Sequence, residues 1–254
     1  MDPTAELWRP LVGCPPLTDG EVHVWRVRLD WPDPQVARLA ALLSADEQER
    51  AARYRYYELC REYTAGRGAL RILLGNYLGI TPSEVAFAYE KRGRPLLAKT
   101  IDTERLTFNL SNARDLALIA FTRGREIGVD LESDRRTLEM KDVATHFFAP
   151  AECAALFALP ETVQRQAFFN CWTRKEAYLK ARGLGLSRPL DRFQVTLVPG
   201  EAVRLLQDDT DPGAEQRWSL AALDGLGGYT AALAVEGRAY RLSCFDFLLD
   251  PEHI

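Results

Sequence analysis

The chain has 254 residues, of which 47% are hydrophobic and 27% are charged, and its formal net charge is −4. This length allows one large globular domain or two small ones. The modest negative charge argues against a nucleic-acid binder, and no apolar run approaches the ~20 residues of a membrane span. The first residues do not resemble a secretory signal. The five scattered cysteines lack a Cys-x-x-Cys pair, which favours a reducing, cytoplasmic compartment.

The first half begins with an alternating segment that predicts a strand over 22–29. Ser44-Ala-Asp-Glu47 resembles a capping box, because a serine at a helix start is followed three residues later by glutamate. The helical region from about 46 to 78 is predicted to break near 57–62. Further strands are predicted from alternating apolar residues over 85–89, 107–110, 116–121 and 127–131.

The second half is predicted to follow the same order. Ala149-Pro-Ala-Glu152 precedes a short helix, and a long helix over about 161–182 ends at Gly183. The stretch 199–216 is rich in Gly, Pro and Asp and is interpreted as a polar loop. The strands of this half are predicted over 193–197, 217–220, 229–234 and 242–246.

The two halves therefore look like diverged copies of one unit. The spacing from Arg67 to Pro82 equals that from Arg174 to Pro189, and each proline precedes a predicted strand. This predicts an α+β pseudodimer, in which two similar α/β halves pack about a pseudo-twofold axis. The alternative is that any α+β protein shows internal similarities of this kind without a duplication.

We divide the chain into an N-terminal half, 1–132, and a C-terminal half, 133–254. A cleft between like halves is a common place for a ligand. In the alignment of the two copies Glu176 corresponds to Ala69, so a site that depends on this acid would form only once.

The sequence Gly128-Val-Asp-Leu-Glu132 is predicted to be a core strand whose end carries two acidic residues. Asp130 and Glu132 are two residues apart, so both carboxylates lie on one face of the strand. A pair of this kind often lies on a strand face that is exposed to solvent, but the apolar neighbours argue against an exposed strand here. Adjacent carboxylates repel each other, and a divalent cation relieves the repulsion.

A second motif is Trp172-Thr-Arg-Lys-Glu-Ala-Tyr-Leu-Lys180. Glu176 and Lys180 are four residues apart, and Trp172 lies a further four back, so all three share one face of a helix. The acid and the lysine could form a simple surface ion pair, although aromatic neighbours indicate that the helix packs on a core. Three carboxylates and one lysine predict a hard-cation site beside a phosphate.

With these motifs the sequence resembles the 4′-phosphopantetheinyl transferases of the surfactin-synthetase-activating type, over nearly the whole chain. The family pattern Gly-[Val/Ile]-Asp-hydrophobic-Glu is met at 128–132, and Trp-x-x-Lys-Glu-[Ser/Ala]-x-x-Lys at 172–180. The family's Gly-Lys-Pro turn is present as Gly93-Arg-Pro95. The pattern Phe-Asn-[Ile/Leu]-Ser-His is present at 108–112, with Asn112 in place of the histidine.

The resemblance implies a pseudodimer with its active site between the halves. It also implies transfer of the 4′-phosphopantetheine arm of coenzyme A to a serine of an apo acyl or peptidyl carrier protein, with release of adenosine 3′,5′-bisphosphate. By this resemblance Asp130, Glu132 and Glu176 would bind Mg²⁺, or Mn²⁺. Glu176 would take the serine proton, and Lys180 would contact the phosphate and neutralise the leaving group.

The resemblance also assigns coenzyme-binding residues. Arg50 and Arg94 align with basic positions that hold phosphates, a task that suits the planar donor fork of arginine, although each could be a solvated surface charge. Ser111 and Asn112 would contact a phosphate or ribose. Because an asparagine donates only a neutral hydrogen bond, phosphate binding should be weaker or less pH-dependent than with histidine.

The expected partners are coenzyme A and a carrier protein, with neither nucleic acid nor membrane, for a cytoplasmic monomer. The segment 133–148 mixes basic and apolar residues and is predicted to help dock the carrier.

Three other functions are considered. Asn112 could mark an inactive coenzyme A-binding homologue, or the acidic strand and aromatic helix could belong to a non-enzymatic interaction protein. A Mg²⁺-dependent phosphate-ester hydrolase is disfavoured, because the chain has only three histidines and none is an obvious base. The sequence leaves open the identity of the carrier, Mg²⁺ against Mn²⁺, and tolerance for acylated coenzyme A.

Overall fold

The computed structural model describes residues 8–90, 93–101, 105–183 and 188–250. The first part of the chain forms β1 (Trp8–Leu11), β2 (Glu21–Arg28), α1 (Asp33–Ala40), α2 (Ala45–Ala52), α3 (Tyr57–Leu78), β3 (Phe87–Tyr89), β4 (Pro95–Leu97), β5 (Leu106–Ala113), β6 (Leu116–Arg123) and β7 (Ile127–Ser133). The second part forms α4 (Met140–Phe147), α5 (Pro150–Phe157), α6 (Glu161–Ala181), β8 (Phe193–Val195), β9 (Leu205–Asp208), α7 (Ala214–Arg217), β10 (Trp218–Ala222), β11 (Tyr229–Glu236) and β12 (Arg241–Phe247). None of the helices in these ranges is long and apolar enough to cross a membrane.

The strands form two main sheets. One has five strands in the order β1-β12-β2-β6-β5, and the other has three in the order β10-β11-β7. Strand β7 belongs mainly to the predicted N-terminal half, yet it pairs with β11 of the C-terminal half. Strand β12 belongs to the C-terminal half, yet it pairs in parallel with β2 of the N-terminal half. Each half therefore contributes a strand to the sheet of the other. The division at 132/133 stays a prediction, and it passes through the end of β7.

Side chains of β5 join the two sheets. The Asn109 Oδ1 atom accepts a hydrogen bond from the Val129 amide at 2.9 Å, and the Ser111 Oγ atom accepts one from the Leu131 amide at 3.2 Å. These residues alternate along β5 with apolar Phe108, which is buried on the other face of the strand. The polar bonds hold β7 beside β5, and so they fix the position of Asp130.

Apolar burial supports each half separately. The long helix α3 packs residues such as Leu70 and Leu73 into one buried cluster, and α6 packs Phe168 and Tyr178 into another. A third cluster joins the sheets, with Val129 among its members. Burial of each large side chain contributes roughly 1.5–3 kcal/mol, which holds both long helices firmly against the sheets.

The same polar contacts recur in both halves. In each, a glutamate at the start of a short helix accepts a hydrogen bond from a backbone amide three residues earlier, Ser44 to Glu47 and Ala149 to Glu152, both at 2.9 Å. Each glutamate then pairs with a cation on the following long helix. Nitrogen–oxygen distances are 2.6 Å for Arg71–Glu47 and 2.7 Å for Lys175–Glu152. The predicted fold of two similar α/β halves is confirmed.

These contacts also correct the predicted alignment of the two long helices. Arg71 donates to the carbonyl oxygens of Pro82 and Val85, and Lys175 donates to those of Leu190 and Phe193. Arg71 therefore corresponds to Lys175, which places Ile72, and not Ala69, opposite Glu176. The acid still occurs in one half only.

The stretch 199–216 is not a simple loop, as the sequence had suggested. It contains β9, which pairs with β8, and the start of α7. Strand β9 is short, and its buried Leu205 follows a run of turn-forming residues, so its periodicity is too brief to be recognised.

Candidate active site

Gly128 allows helix α6 to approach strand β7 closely. A Cβ atom at this position would lie 2.1 Å from the carbonyl oxygen of Ala177 and 2.3 Å from the amide nitrogen of Ala181. Any residue larger than glycine would therefore push the helix away from the strand. This close approach brings the two sequence motifs together, because Lys180 lies on the same stretch of α6.

Lys180, Asp130 and Ser111 form one hydrogen-bonded network. The Lys180 ammonium donates to the Asp130 Oδ1 atom at 2.6 Å and to the Ser111 Oγ atom at 2.8 Å. The Ser111 hydroxyl donates in turn to the same aspartate oxygen at 3.1 Å. Asp130 is buried, whereas the Lys180 side chain is 29% exposed and can reach a ligand. The structure thus brings together three residues from separate motifs.

Glu176 lies one turn before Lys180 in a desolvated position. The pKa of this carboxyl is raised to about 7, mainly by burial; the negative charges of Asp130 and Glu132 contribute to the rise, and the charge of Lys180 opposes it. Among the described residues, neither the Glu176 Oε1 atom nor the Asp130 Oδ2 atom has a hydrogen-bond partner, although both are buried. Buried carboxylate oxygens normally have partners, so this pair fits a site for a hard cation.

Glu132 lies in the same region but has another partner. Its Oε1 atom accepts a hydrogen bond from Arg136 at 2.7 Å, and burial followed by the charge of Asp130 raises its pKa. Within the described ranges, no group of three or more His, Cys, Asp or Glu side chains is arranged closely enough to hold a metal ion. The carboxylates are neighbours, but they do not form a complete set of metal ligands, and one oxygen of Glu132 is already bonded to Arg136.

A cavity of about 450 Å³ opens between the two halves. Four of the five residues predicted to bind the coenzyme line it: Arg50, Arg94, Asn112 and Lys180. Ser111 is not part of this lining, but its Oγ atom accepts a hydrogen bond from Lys180, which is. The volume is in the range of small-molecule sites, and the lining combines apolar and aromatic side chains with several arginines, a lysine, two glutamates and two asparagines.

The two predicted arginines differ in burial. The Arg94 side chain is 14% exposed, and its Nη2 atom is 3.7 Å from the Glu126 Oε2 atom. Its Nε atom has no hydrogen-bond partner among the described residues. Arg50 is exposed on α2, with its guanidinium 5.4 Å from the centre of the Tyr63 ring. Both side chains can present donors to an anion in the cavity.

Two further residues have roles that the sequence did not indicate. Arg67 on α3 lines the cavity although it is buried. Lys175, next to Glu176 in the motif, instead points away from the site and is fully buried against Glu152. Neighbouring residues on a helix face different directions, which separates the structural lysine from the site acid. Arg67 has no comparable sequence signal, because its partners lie on other elements.

Two family models together match most of the chain. Residues 126–234 match the family model described as the 4′-phosphopantetheinyl transferase superfamily, and residues 31–123 match that described as 4′-phosphopantetheinyl transferase, N-terminal. A crystal structure of holo-[acyl-carrier-protein] synthase from Thermotoga maritima overlaps 44% of this chain and 63% of its own, with a TM-score of 0.34 and 16% identity.

Curated relatives give the clearer match. The 4′-phosphopantetheinyl transferase HetI of Nostoc sp. is 43% identical over 91% of this chain and 94% of its own length. A putative 4′-phosphopantetheinyl transferase of Synechocystis sp. is 34% identical over 74% of this chain and 75% of its own, and one from Bacillus subtilis is 30% identical over 63% and 69%. Because such identity extends over nearly the whole chain, the protein belongs to the 4′-phosphopantetheinyl transferase family.

Proposed function

We propose that this protein transfers the 4′-phosphopantetheine group of coenzyme A to a serine hydroxyl of an apo acyl or peptidyl carrier protein, with a divalent cation bound. Family membership supports the reaction class. The observation that carries the assignment of the site is the 2.6 Å contact between Lys180 and Asp130 beside a cavity lined by arginines.

In this reaction the serine oxygen forms a bond to the pantetheine-side phosphorus of the coenzyme's diphosphate. The bond from that phosphorus to the bridging oxygen breaks, and adenosine 3′,5′-bisphosphate leaves. Glu176 accepts the serine proton, a role that suits a carboxyl whose pKa is raised by burial to about 7. Lys180 places positive charge where the leaving phosphate gains negative charge.

The residues that would hold Mg²⁺ are Asp130 and Glu176, through their two unpartnered oxygens, and Glu132, through the oxygen that Arg136 does not bond. When bound, the cation supplies charge stabilisation for the diphosphate. Mn²⁺, with similar ligand preferences, is the alternative. Arg50, Arg94 and Asn112 bind the remaining polar groups of the coenzyme.

We place the carrier protein against 133–148. Arg135 and Lys141 are exposed there, and Phe147 is 38% exposed, with its ring centre 5.8 Å from that of Trp172. This combination suits a partner with an acidic surface and an apolar contact. Because Arg136 is bonded to Glu132, charge reversal is best tested on Arg135→Glu with Lys141→Glu, which should raise KM for the carrier and leave KM for coenzyme A unchanged.

The proposed enzyme acts as a cytoplasmic monomer. A single chain supplies both walls of the cavity, because Arg50 comes from one half and Lys180 from the other, so a second copy is not needed. All five cysteines are free, which suits a reducing compartment.

The direct test is to incubate the protein with coenzyme A, Mg²⁺ and an apo carrier of either class and to weigh the carrier by mass spectrometry. We expect a gain of one phosphopantetheine group. Asp130→Ala and Glu176→Ala should each abolish it, whereas Glu49→Ala, an exposed control on α2, should not. Full turnover by either site variant at saturating Mg²⁺ would refute the metal assignment. Coenzyme A binding without transfer to any carrier would favour the inactive homologue.

A further inference from the structure

A second, open groove of about 710 Å³ lies at the other end of strand β2 from the cavity between the halves. His23, near the start of β2, lines this groove, whereas Leu29, just after the end of the same strand, lines the cavity. At about 3.3 Å per residue, the stretch of strand between them is about 20 Å long. No described residue lines both places. The groove is therefore separate from the candidate active site.

His23 is buried, yet one of its ring nitrogens is left for a ligand. The residue is 3% exposed, and its Nδ1 atom lies 2.8 Å from the Tyr77 hydroxyl. This hydroxyl accepts a hydrogen bond from the Trp25 indole at 2.8 Å, so its own proton is free to bond Nδ1, which leaves the ring proton on Nε2. Burial, and then the charge of Arg9, lowers the pKa of His23 to about 4, so the ring is neutral near pH 7. Among the described residues, the Nε2 atom has no hydrogen-bond partner.

The charged side chains of the groove leave one cation without a partner. Arg241 pairs with Glu21. Arg9 is exposed, and it forms no ion pair with any carboxylate that the structure describes. Its guanidinium lies 5.2 Å from the centre of the Phe245 ring, and the centre of the His23 ring is also 5.2 Å from that point. The unpaired cation and the buried N–H group therefore adjoin the same aromatic ring.

We propose that this groove binds a carboxylate that carries an apolar chain, with Arg9 and the Nε2–H group of His23 as its donors. The single unpaired cation matches a monoanion, and a guanidinium can donate two parallel hydrogen bonds to a carboxylate. Phe245, Pro15 and Pro16 contribute apolar surface to the same groove, against which a hydrocarbon chain packs. A phosphate dianion would keep one charge uncompensated. This site does not depend on the transfer reaction proposed above.

The test is titration calorimetry at pH 7 with octanoate as the probe. Three comparison ligands separate the contributions, because acetate lacks the chain, octanol lacks the charge, and inorganic phosphate replaces the carboxylate. We expect octanoate to bind about tenfold or more tightly than each of them. Its affinity should be the same with and without saturating coenzyme A, because the groove and the cavity are separate.

Two further measurements locate the probe. Arg9→Gln should weaken octanoate binding about tenfold or more and leave octanol binding unchanged. Arg53→Gln is the matched control, because Arg53 is 78% exposed and does not line the groove, and it should bind octanoate as wild type does. In NMR spectra, octanoate should shift the ring resonances of His23 and not those of His146, which is exposed on α4.

Several results would overturn the proposal. These are a lack of octanoate binding, equal affinity for octanoate and octanol, phosphate binding as tight as that of octanoate, and displacement of octanoate by coenzyme A. Octanoate affinity of Arg9→Gln equal to that of wild type would also overturn it. Should circular dichroism show that Arg9→Gln does not fold, the ligand series and the His23 resonances of wild type still decide the question.

Discussion

Replacing Glu176 by glutamine should stabilise the metal-free protein at pH 8. The folded protein raises the pKa of this carboxyl from 4.5 to about 7, mainly by burial. The folded state therefore holds the proton more tightly than the unfolded state, and stability falls as pH rises from about 4.5 to about 7. At about 1.4 kcal/mol per pH unit, the full penalty above pH 7 is about 3 kcal/mol.

The measurement is thermal and urea unfolding of wild type and Glu176→Gln in EDTA between pH 5 and pH 8. Because an amide cannot ionise, the variant should lose no stability through this step. The variant's advantage should grow with pH and approach about 3 kcal/mol, or roughly 6–12 °C in Tm for a chain of this size. Added Mg²⁺ should stabilise wild type more than the variant, because the cation offsets a carboxylate charge that the amide lacks.

Glu49→Gln is the matched control. It makes the same chemical change on a carboxylate that is 71% exposed and paired with Arg53 across one helical turn. Such pairs contribute a few tenths of a kcal/mol, so this variant should follow wild type across the pH range. A stability difference between Glu176→Gln and wild type that does not change with pH would refute the reasoning.

The remaining predictions concern rate, packing and binding. Lys180→Ala should lower kcat more than it weakens coenzyme A binding, because charge on the leaving group grows in the transition state. Steady-state kinetics would measure kcat, and calorimetry would measure binding. A loss of coenzyme A affinity with unchanged kcat would show that the lysine only binds. Gly128→Ala should cost about 3 kcal/mol or more by urea unfolding, because its Cβ would overlap the backbone of α6 at 2.1 Å; a loss below about 1 kcal/mol would contradict this. Asn112→His should tighten coenzyme A binding below about pH 6.5 and not at pH 8, because the imidazole gains a positive charge beside the cavity. An affinity of this variant that does not change with pH would count against a contact between residue 112 and a phosphate.

The elements with long, strong patterns were predictable from the sequence. The capping box at Ser44, the strand bearing Asp130 and the helix bearing Glu176 all form as expected, because local chemistry and apolar periodicity point to the same structure. Short elements such as β9 and α4 were missed. In these segments a few buried residues, set among turn-forming or charged ones, are fixed by contacts from elsewhere in the chain.

The site was predictable where its chemistry lies within a motif. Two motifs place Lys180 and Asp130 on regular elements and assign both to one site, whereas their direct contact is seen only in the structure. The engagement of Glu132 by Arg136 and the burial of Arg67 were not predictable, because they depend on how separate elements meet. Sequence spacing gives the face of a helix or strand, but not which distant side chain occupies it.

The duplicated architecture helps to separate residues that hold the fold from those that serve the site. A contact present in both halves, such as the pairing of Arg71 with Glu47 and of Lys175 with Glu152, closes the same helix junction twice, although only one half carries the acid Glu176. Such contacts belong to the fold. A charged residue present in one half only, where its counterpart is neutral, adds a cost that the fold does not require. Glu176 opposite Ile72 and Arg67 opposite Cys171 are two such residues, of opposite charge. Under the proposed function, a bound cation would remove this cost at Glu176.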